Sequence, residues 1–291
     1  GDVITTTKTV PVDIVLVLDQ SGSMADDFGN TTRQAALKKA LAEVDDKETG
    51  AVDESGFITR VADKFTEESD HRIAIVTFGT KATTLVPWTY VDTDGETTLI
   101  NTINKLPSSP SGATNVAAGM TLAETLMGSG YSYSGTNTER QKVVIVFTDG
   151  VPTTSSNFST DVADTAIESA LNLKSNNVGA TVYTVGIFTG ANPDELHGDK
   201  WDYGEIWLPI VGTVDLGEVD CTGDVNSYWG GSWIAGLFGG NDFADIDVAA
   251  GNRFLNYLST NFAEAGSIGI ERGYYSPEKD GWTGEIQQGL G

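Results

Sequence analysis

The chain has 291 residues, of which 41 are Asp or Glu and 17 are Lys or Arg, so its formal net charge is −24. A charge of this sign excludes nucleic acid and anionic membrane surfaces as partners, because binding to either depends on basic side chains. The single cysteine, Cys221, cannot form a disulfide within the chain, so the core alone must hold the fold. No apolar run reaches the length of about 18 residues that predicts a membrane-spanning helix.

The first predicted element is an extended segment over 1–11. It lacks the features of a secretion signal, and we expect the chain to be a piece of a longer protein. The strand 14–18, IVLVL, follows, and its continuous β-branched run is typical of a strand covered on both faces. A helix is predicted over 32–44, with an inward stripe that consists of Ala36, Leu37, Ala40 and Leu41. The acidic stretch 45–57 then predicts an insertion in this first crossover.

The middle of the chain predicts a strand, an edge strand and a helix. The second buried strand is 73–78, IAIVTF. The stretch 83–91 follows it closely and predicts an antiparallel edge strand, where Pro87 is tolerated because one side of the strand has no neighbour. A helix over 114–127 comes next, with a stripe that consists of Ala118, Leu122 and Leu126.

Two further buried strands are predicted, 143–147 (VVIVF) and 181–188 (TVYTVGIF). Between them lies a helix over 160–176, with Thr160 as its expected N-cap. The inward stripe of this helix consists of Val162, Ala166, Ala170 and Leu173. Strands that alternate with helices predict an α/β fold, in which a doubly wound, mostly parallel sheet carries helices on both faces.

The stretch 189–251 is the longer of two predicted insertions. It contains four of the six tryptophans, which are Trp201, Trp207, Trp229 and Trp233. A solvated linker is poor in aromatic residues, so this stretch predicts a folded excursion. A helix over 252–265 follows, with Phe254, Leu255, Leu258 and Phe262 inward, and 266–291 is predicted to be an extended tail. The domain therefore spans 12–265.

Oxygen-bearing side chains follow the predicted strands or precede the next helix. They are Asp19, Ser21, Ser23, Thr114 and Asp149. Loops beyond the carboxyl ends of parallel strands converge, so these side chains can lie close together. Two carboxylates and three hydroxyls, without imidazole or thiolate, suit a hard divalent cation such as Mg²⁺, Mn²⁺ or Ca²⁺. The alternative is a cluster of turn and helix-cap residues, with Thr114 as the N-cap of its helix.

These residues resemble the metal-ion-dependent adhesion site of von Willebrand factor type A domains. The motifs are DQSGSM at 19–24, GATN at 112–115 and TDG at 148–150, and the resemblance extends over 12–188 and 252–265. It implies a Rossmann-like fold. It also implies the ligand set, in which the hydroxyls of Ser21, Ser23 and Thr114 bind the ion and the carboxylates of Asp19 and Asp149 bind it directly or through water. One coordination position then remains for an acidic group of a partner.

Within this family, the acidic, cysteine-poor composition and the insertions are similar to the adhesive domains of Gram-positive surface proteins and pilus tip subunits. The resemblance implies a non-enzymatic adhesion domain at the bacterial cell wall, with Mg²⁺ as the expected ion. Its partner would be a host or matrix protein with an acidic anchor. The four tryptophans of 189–251 are candidates for contact with the partner, although a core role is the first expectation.

Other functions use the same residues differently. The same fold could be an intracellular assembly module of a chelatase or transport complex, and an aspartyl-phosphate enzyme could use Asp19 as its nucleophile. A serine hydrolase is disfavoured, because the sequence has no G-x-S-x-G motif and neither histidine is well placed as a base. We expect His71 to lie on the surface, and we expect His197 and Cys221 to be inert.

Overall fold

The structure is a computed structural model that describes residues 10–44, 55–149, 152–154, 159–188, 200–202, 205–208, 212–215, 218–220, 254–255 and 257–260. Several predictions from the sequence lie outside these residues. They concern most of 1–11 and 45–57, much of 189–251, all of 266–291, and the residues His197, Cys221, Trp229, Trp233 and Phe262. Trp201 and Trp207 lie in short strands whose side chains are not described.

The described residues form eleven strands and five α-helices. The strands are β1 (Val12–Asp19), β2 (Asp27–Phe28), β3 (Thr31–Thr32), β4 (Arg72–Phe78), β5 (Ala82–Tyr90), β6 (Gln141–Thr148), β7 (Ala180–Gly186), β8 (Lys200–Asp202), β9 (Glu205–Leu208), β10 (Gly212–Asp215) and β11 (Glu218–Asp220). The helices are α1 (Arg33–Ala42), α2 (Phe57–Ala62), α3 (Thr93–Asn104), α4 (Val116–Met127) and α5 (Thr160–Lys174). None of these helices is long and apolar enough to cross a membrane.

A five-stranded sheet in the order β5-β4-β1-β6-β7 forms the centre of the fold. Strand β1 lies in the middle and runs parallel to β4 and β6, and β6 runs parallel to β7. Strand β5 pairs antiparallel with β4 at the edge, which leaves room for Pro87. The mostly parallel sheet with an antiparallel edge strand is confirmed.

Helices cover both faces of the sheet. Alternate residues of β1 point to opposite faces, so they pack against different helices. Val15 and Val17 pack with residues of α4, α5 and the helical stretch near 254–258. Ile14, Leu16 and Leu18 pack on the other face with α1, α2 and α3. The apolar run of β1 is continuous for this reason, since both faces of the strand are buried.

The structure corrects several local predictions. Helices α2 and α3 were not predicted. The N-cap of α3 is Asp92, whose carboxylate accepts a hydrogen bond from the Gly95 N–H at 2.8 Å. The N-cap of α5 is Ser159 rather than Thr160. In α4 the predicted stripe is only half-buried, and the fully buried residues are Val116, Ala117, Gly119, Met120, Ala123 and Met127. In α1 the fully buried apolar residues are Leu37, Leu41 and Ala42.

His71 is buried, so the prediction that it lies on the surface is wrong. Its Nδ1 accepts a hydrogen bond from the Val12 N–H at 3.1 Å, which ties the start of β1 to the residue before β4. Burial lowers the pKa of His71, with the positive charge of Arg140 as a further cause. His71 therefore has a structural role.

A cluster of charged residues lies beside His71, at the edge of the sheet where β1, β4 and β6 begin. We call it the basal ion cluster, and it consists of Asp13, Asp70, Arg72 and Arg140 together with Tyr131, whose hydroxyl donates to Asp13. Arg72 donates two hydrogen bonds to Asp13, at 2.8 and 2.9 Å, and Arg140 donates two more, at 2.9 and 2.6 Å. The buried Asp13 carboxylate thus joins β1 to β4 and to the residue that precedes β6.

Candidate metal centre

Asp19 ends β1 at the opposite edge of the sheet and is completely buried. Its Oδ1 accepts a hydrogen bond from the Ser21 N–H at 2.8 Å. Its Oδ2 accepts one from the Thr148 hydroxyl at 2.8 Å and one from the Asp149 N–H at 3.3 Å. The first predicted ligand is therefore held by the end of β6 as well as by its own loop.

The hydroxyls of Ser21 and Ser23 lie 3.1 Å apart. Ser21 occupies the N-cap position of a short 3₁₀ turn over Gly22–Ala25, yet its side chain makes no capping hydrogen bond. A cap would direct its oxygen at a backbone N–H. Here the Ser21 oxygen instead lies beside that of Ser23, so the capping alternative does not account for Ser21.

Thr114 lies in a neighbouring loop that two sets of hydrogen bonds fix in place. The Gly22 N–H donates to the Gly112 carbonyl at 3.0 Å, where Gly112 has a φ of 118° that favours glycine. Thr114 also exchanges two hydrogen bonds with Thr153. Its N–H donates to the Thr153 hydroxyl and its carbonyl accepts from the Thr153 N–H, both at 3.0 Å. The loop of Thr114 is thus joined to the segments after β1 and after β6.

Thr114 is not the N-cap of α4. That position belongs to Asn115, whose side-chain oxygen accepts a hydrogen bond from the Ala118 N–H at 3.1 Å. The capping alternative for Thr114 is therefore wrong.

Asp149 follows β6, and its side chain is only 2% exposed. Its Oδ2 lies 3.1 Å from Nη1 of Arg33, the first residue of α1. The same nitrogen lies 3.4 Å from the Ser23 carbonyl oxygen. Arg33 therefore brings a positive charge to the place where the predicted ligands meet.

Asp19 and Asp149 repel each other electrostatically. Burial raises the pKa of Asp19 to about 8, and the negative charge of Asp149 adds to this effect. Hydrogen bonds from Ser21 and Thr148 act in the opposite direction. Two buried carboxylates of this kind are stabilised in their charged forms when a cation lies between them.

The donor chemistry fits a hard divalent cation. Four of the predicted ligands are buried, namely Asp19, Ser21, Thr114 and Asp149, while Ser23 is half-buried. Hydrogen bonds and electrostatic contact bring Asp19, Ser21, Ser23 and Asp149 together, and Thr114 lies on an adjoining loop. Among the described residues no three His, Cys, Asp or Glu form a metal-binding group, so a site here needs the hydroxyls as ligands.

Residues 14–151 match the family described as von Willebrand factor type A domain. This segment is just under half of the chain and contains all five predicted ligands. The fold is that of a type A domain. A search of the curated proteins found no match.

Solved structures with partial likeness include three bacterial proteins. The conserved hypothetical protein BatB from Bacteroides thetaiotaomicron is 18% identical with a TM-score of 0.37, and the match covers 60% of this chain and 66% of that one. The PilB minor pilin from Streptococcus sanguinis is 19% identical with a TM-score of 0.43, covering 62% and 50%. The pilus adhesin SpaC from Lactobacillus rhamnosus GG is 18% identical with a TM-score of 0.45, covering 61% and 25%. The chain thus matches only part of each of these proteins.

Sequence reasoning missed several residues that support the centre of the type A domain. Thr148 donates to Asp19, Thr153 pairs with Thr114, and Arg33 contacts Asp149. Gln20 and Gln34 exchange side-chain hydrogen bonds at 2.9 and 2.7 Å, which fix α1 against the first loop. Thr148 precedes Asp149 in FTDG and is the last residue of β6. This place at the carboxyl end of a strand could have identified Thr148 as part of the site. The other contacts join distant parts of the chain and leave no local pattern.

Proposed function

We propose that the type A domain is a metal-dependent binding module that captures an acidic side chain of a partner protein. The observation that carries this proposal is the burial of Asp19 and Asp149 beside a pair of serine hydroxyls whose oxygens are 3.1 Å apart. Two buried carboxylates that repel each other destabilise a fold, so their presence together favours a role in cation binding.

The proposed ligands are the hydroxyls of Ser21, Ser23 and Thr114 with the carboxylates of Asp19 and Asp149. When bound, a divalent cation such as Mg²⁺ would supply a Lewis-acidic position for a carboxylate oxygen of the partner. Thr148 and the Ser21 N–H hold the Asp19 carboxylate in place. The hydrogen bonds between Thr114 and Thr153 and between Gly22 and Gly112 keep the two loops at a fixed separation.

The charge of the chain restricts the partner. With a net charge of −24 the domain repels an acidic protein at long range. Screening at physiological salt limits this repulsion to about 8 Å, so the local charge of the centre governs the contact. The proposed partner therefore presents one acidic anchor within a neutral or basic surface. We place this contact at the cell surface, as in adhesive type A domains.

A phosphate-transfer enzyme based on Asp19 is the less favoured function. Three donors already occupy the Asp19 oxygens, and the residue is fully buried. A nucleophilic carboxylate must be ionised and within reach of its substrate. The burial of Asp19 beneath these three donors opposes that role.

Peptide selection provides a test of the proposed function. A random peptide library displayed on phage is bound to the immobilised domain in Mg²⁺ and eluted with EDTA. We expect the eluted peptides to share an Asp or Glu, and exchange of that residue for Asn or Gln should reduce binding at least about tenfold, because the charged contact is lost.

The Thr114→Ala variant is the matched control for this selection, since it removes one proposed ligand while Asn115 still caps α4. It should bind the selected peptides weakly. Selected peptides without an acidic residue, or peptides that stay bound in EDTA, would contradict the proposal.

A further inference from the structure

Arg33 stands at a position where its helix does not favour a cation. It is the first residue of α1, and the amino end of a helix carries partial positive charge. The first turn of α1 contains no acidic residue that could compensate for it. The guanidinium instead reaches Asp149, 116 residues later in the chain. The position of Arg33 is therefore explained by the candidate metal centre rather than by its own helix.

The ion pair of Arg33 with Asp149 has a single short contact. Nη1 lies 3.1 Å from Asp149 Oδ2, while Nε is buried and has no hydrogen-bond partner. The pair of Arg72 with Asp13 shows the alternative geometry in the same protein, with parallel contacts of 2.8 and 2.9 Å through Nε and Nη2. Bidentate pairs are the stronger ones, and a buried donor without a partner is unfavourable. The Arg33 contact is therefore the one that a competitor can displace more easily.

A second acceptor for Arg33 lies nearby. Its Nη1 is 3.7 Å from Asp26 Oδ2, and the Asp26 side chain is 64% exposed. The Arg33 N–H also donates to the Asp26 carbonyl at 3.1 Å, which anchors the backbone of Arg33 to the same turn. The guanidinium can therefore leave Asp149 for Asp26 without movement of α1.

We propose that Arg33 is an internal competitor of the divalent cation, so that the two exchange at Asp149 and Arg33 sets the affinity of the site for metal. This inference rests on the proposed function, because it requires that Asp149 is a ligand of the cation. A guanidinium beside a divalent ion is repelled by it. Metal binding is then coupled to a shift of Arg33 from the buried Asp149 to the exposed Asp26.

The test is calorimetric titration of the full chain with Mg²⁺ and with Mn²⁺, in the absence of any partner. Arg33→Gln removes the charge, and we expect it to bind both ions on the order of tenfold more tightly than the parent. Arg33→Lys keeps the charge and should bind them within about threefold of the parent. If Arg33 had only a structural role, Arg33→Gln would bind metal more weakly than the parent, because loss of the Arg33 contacts would loosen the centre.

Lys39→Gln is the matched control. It changes the net charge by the same amount on the same helix, but Lys39 is 68% exposed and pairs with Glu43, so the metal affinity should not change. Thermal unfolding of the same samples verifies that each variant is folded, and Arg33→Met replaces the Gln variant if that one does not fold. If the parent binds no metal, the proposed function fails and this inference fails with it. If the parent binds metal but removal of the charge leaves affinity equal or weaker, only the inference about Arg33 is overturned.

Discussion

Asp19→Asn should make the metal-free protein more stable at about pH 8 while it abolishes the stabilisation that Mg²⁺ gives. The gain arises because the variant no longer carries a charge in a fully buried position next to Asp149. We expect it to reach about 2 to 4 kcal/mol in the free energy of unfolding, since part of the benefit is lost where the new amide faces the Asp149 N–H. Urea unfolding in EDTA and in Mg²⁺ measures both effects.

The direction of the pH dependence follows from the raised pKa of Asp19. The folded state holds a proton up to about pH 8, whereas the unfolded chain releases it near 3.8. Ionisation therefore costs the parent stability progressively as the pH rises through this window. The gain of the Asn variant should vanish below pH 3.8 and be largest above about pH 8.

The control for this experiment is Asp63→Asn, at an exposed position after α2, which should change the free energy of unfolding by less than about 0.5 kcal/mol at any pH. A variant of Asp19 that is less stable than the parent in EDTA at high pH would contradict the electrostatic description of the centre.

Asp13→Asn is the second substitution with a large expected effect, and it acts on stability rather than on metal binding. Asp13 accepts hydrogen bonds from Arg72, Arg140 and Tyr131, and the side chains of the two arginines are only 6% and 2% exposed. The substitution removes the negative charge of Asp13, so the buried guanidinium groups of Arg72 and Arg140 lose their shared partner. We expect a loss of about 3 to 5 kcal/mol in the free energy of unfolding, measured in urea at neutral pH.

The effect of Asp13 should depend on acidity in the opposite direction to that of Asp19. Burial alone would raise the pKa of Asp13, but hydrogen bonds from Arg72, Arg140 and Tyr131 outweigh it and lower the pKa to about 2. The stability that the carboxylate provides is therefore complete above 3.8 and is lost as the pH falls towards 2. The difference between parent and variant should shrink over that interval.

Glu43→Gln provides the comparison for the basal ion cluster. Glu43 pairs with Lys39 on the surface of α1 at 3.7 Å, and its loss should cost less than about 0.5 kcal/mol. The Asp13 variant should retain the metal affinity of the parent, because it lies at the edge of the sheet opposite the candidate centre. An equal loss of stability in the two variants would show that the buried cluster has no special role.

The central sheet could be predicted because each of its strands carries its own signal. The run Ile14–Leu18 is apolar at every position, which matches a strand packed on both faces. Helix α3 gave a weaker signal, since TDGETTLINTIN contains few apolar residues and its fully buried apolar side chains are only Leu99 and Ile103. Its N-cap, Asp92, was the available sign of a helix start.

Parts of the site could not be predicted because they depend on contacts between distant segments. The motif residues are close to one another in sequence or follow strand ends, so topology alone brings them together. Arg33 has no such motif, and no local pattern reveals its contact with Asp149, which lies 116 residues later in the chain. His71 was placed on the surface because nothing in the adjacent sequence reveals that its imidazole accepts a hydrogen bond from Val12.

Direct titration with Mn²⁺, in which the electron paramagnetic resonance signal of the free ion is followed, tests the existence of the metal site most directly. The parent chain should remove one ion per molecule from solution, and Mg²⁺ should displace it. The double variant Ser21→Ala, Ser23→Ala, which lacks two of the proposed ligands, should remove none at the same concentrations. A parent chain that leaves the signal of the free ion unchanged, or a double variant that binds Mn²⁺ as tightly as the parent, would contradict the proposal that these oxygens hold a divalent cation.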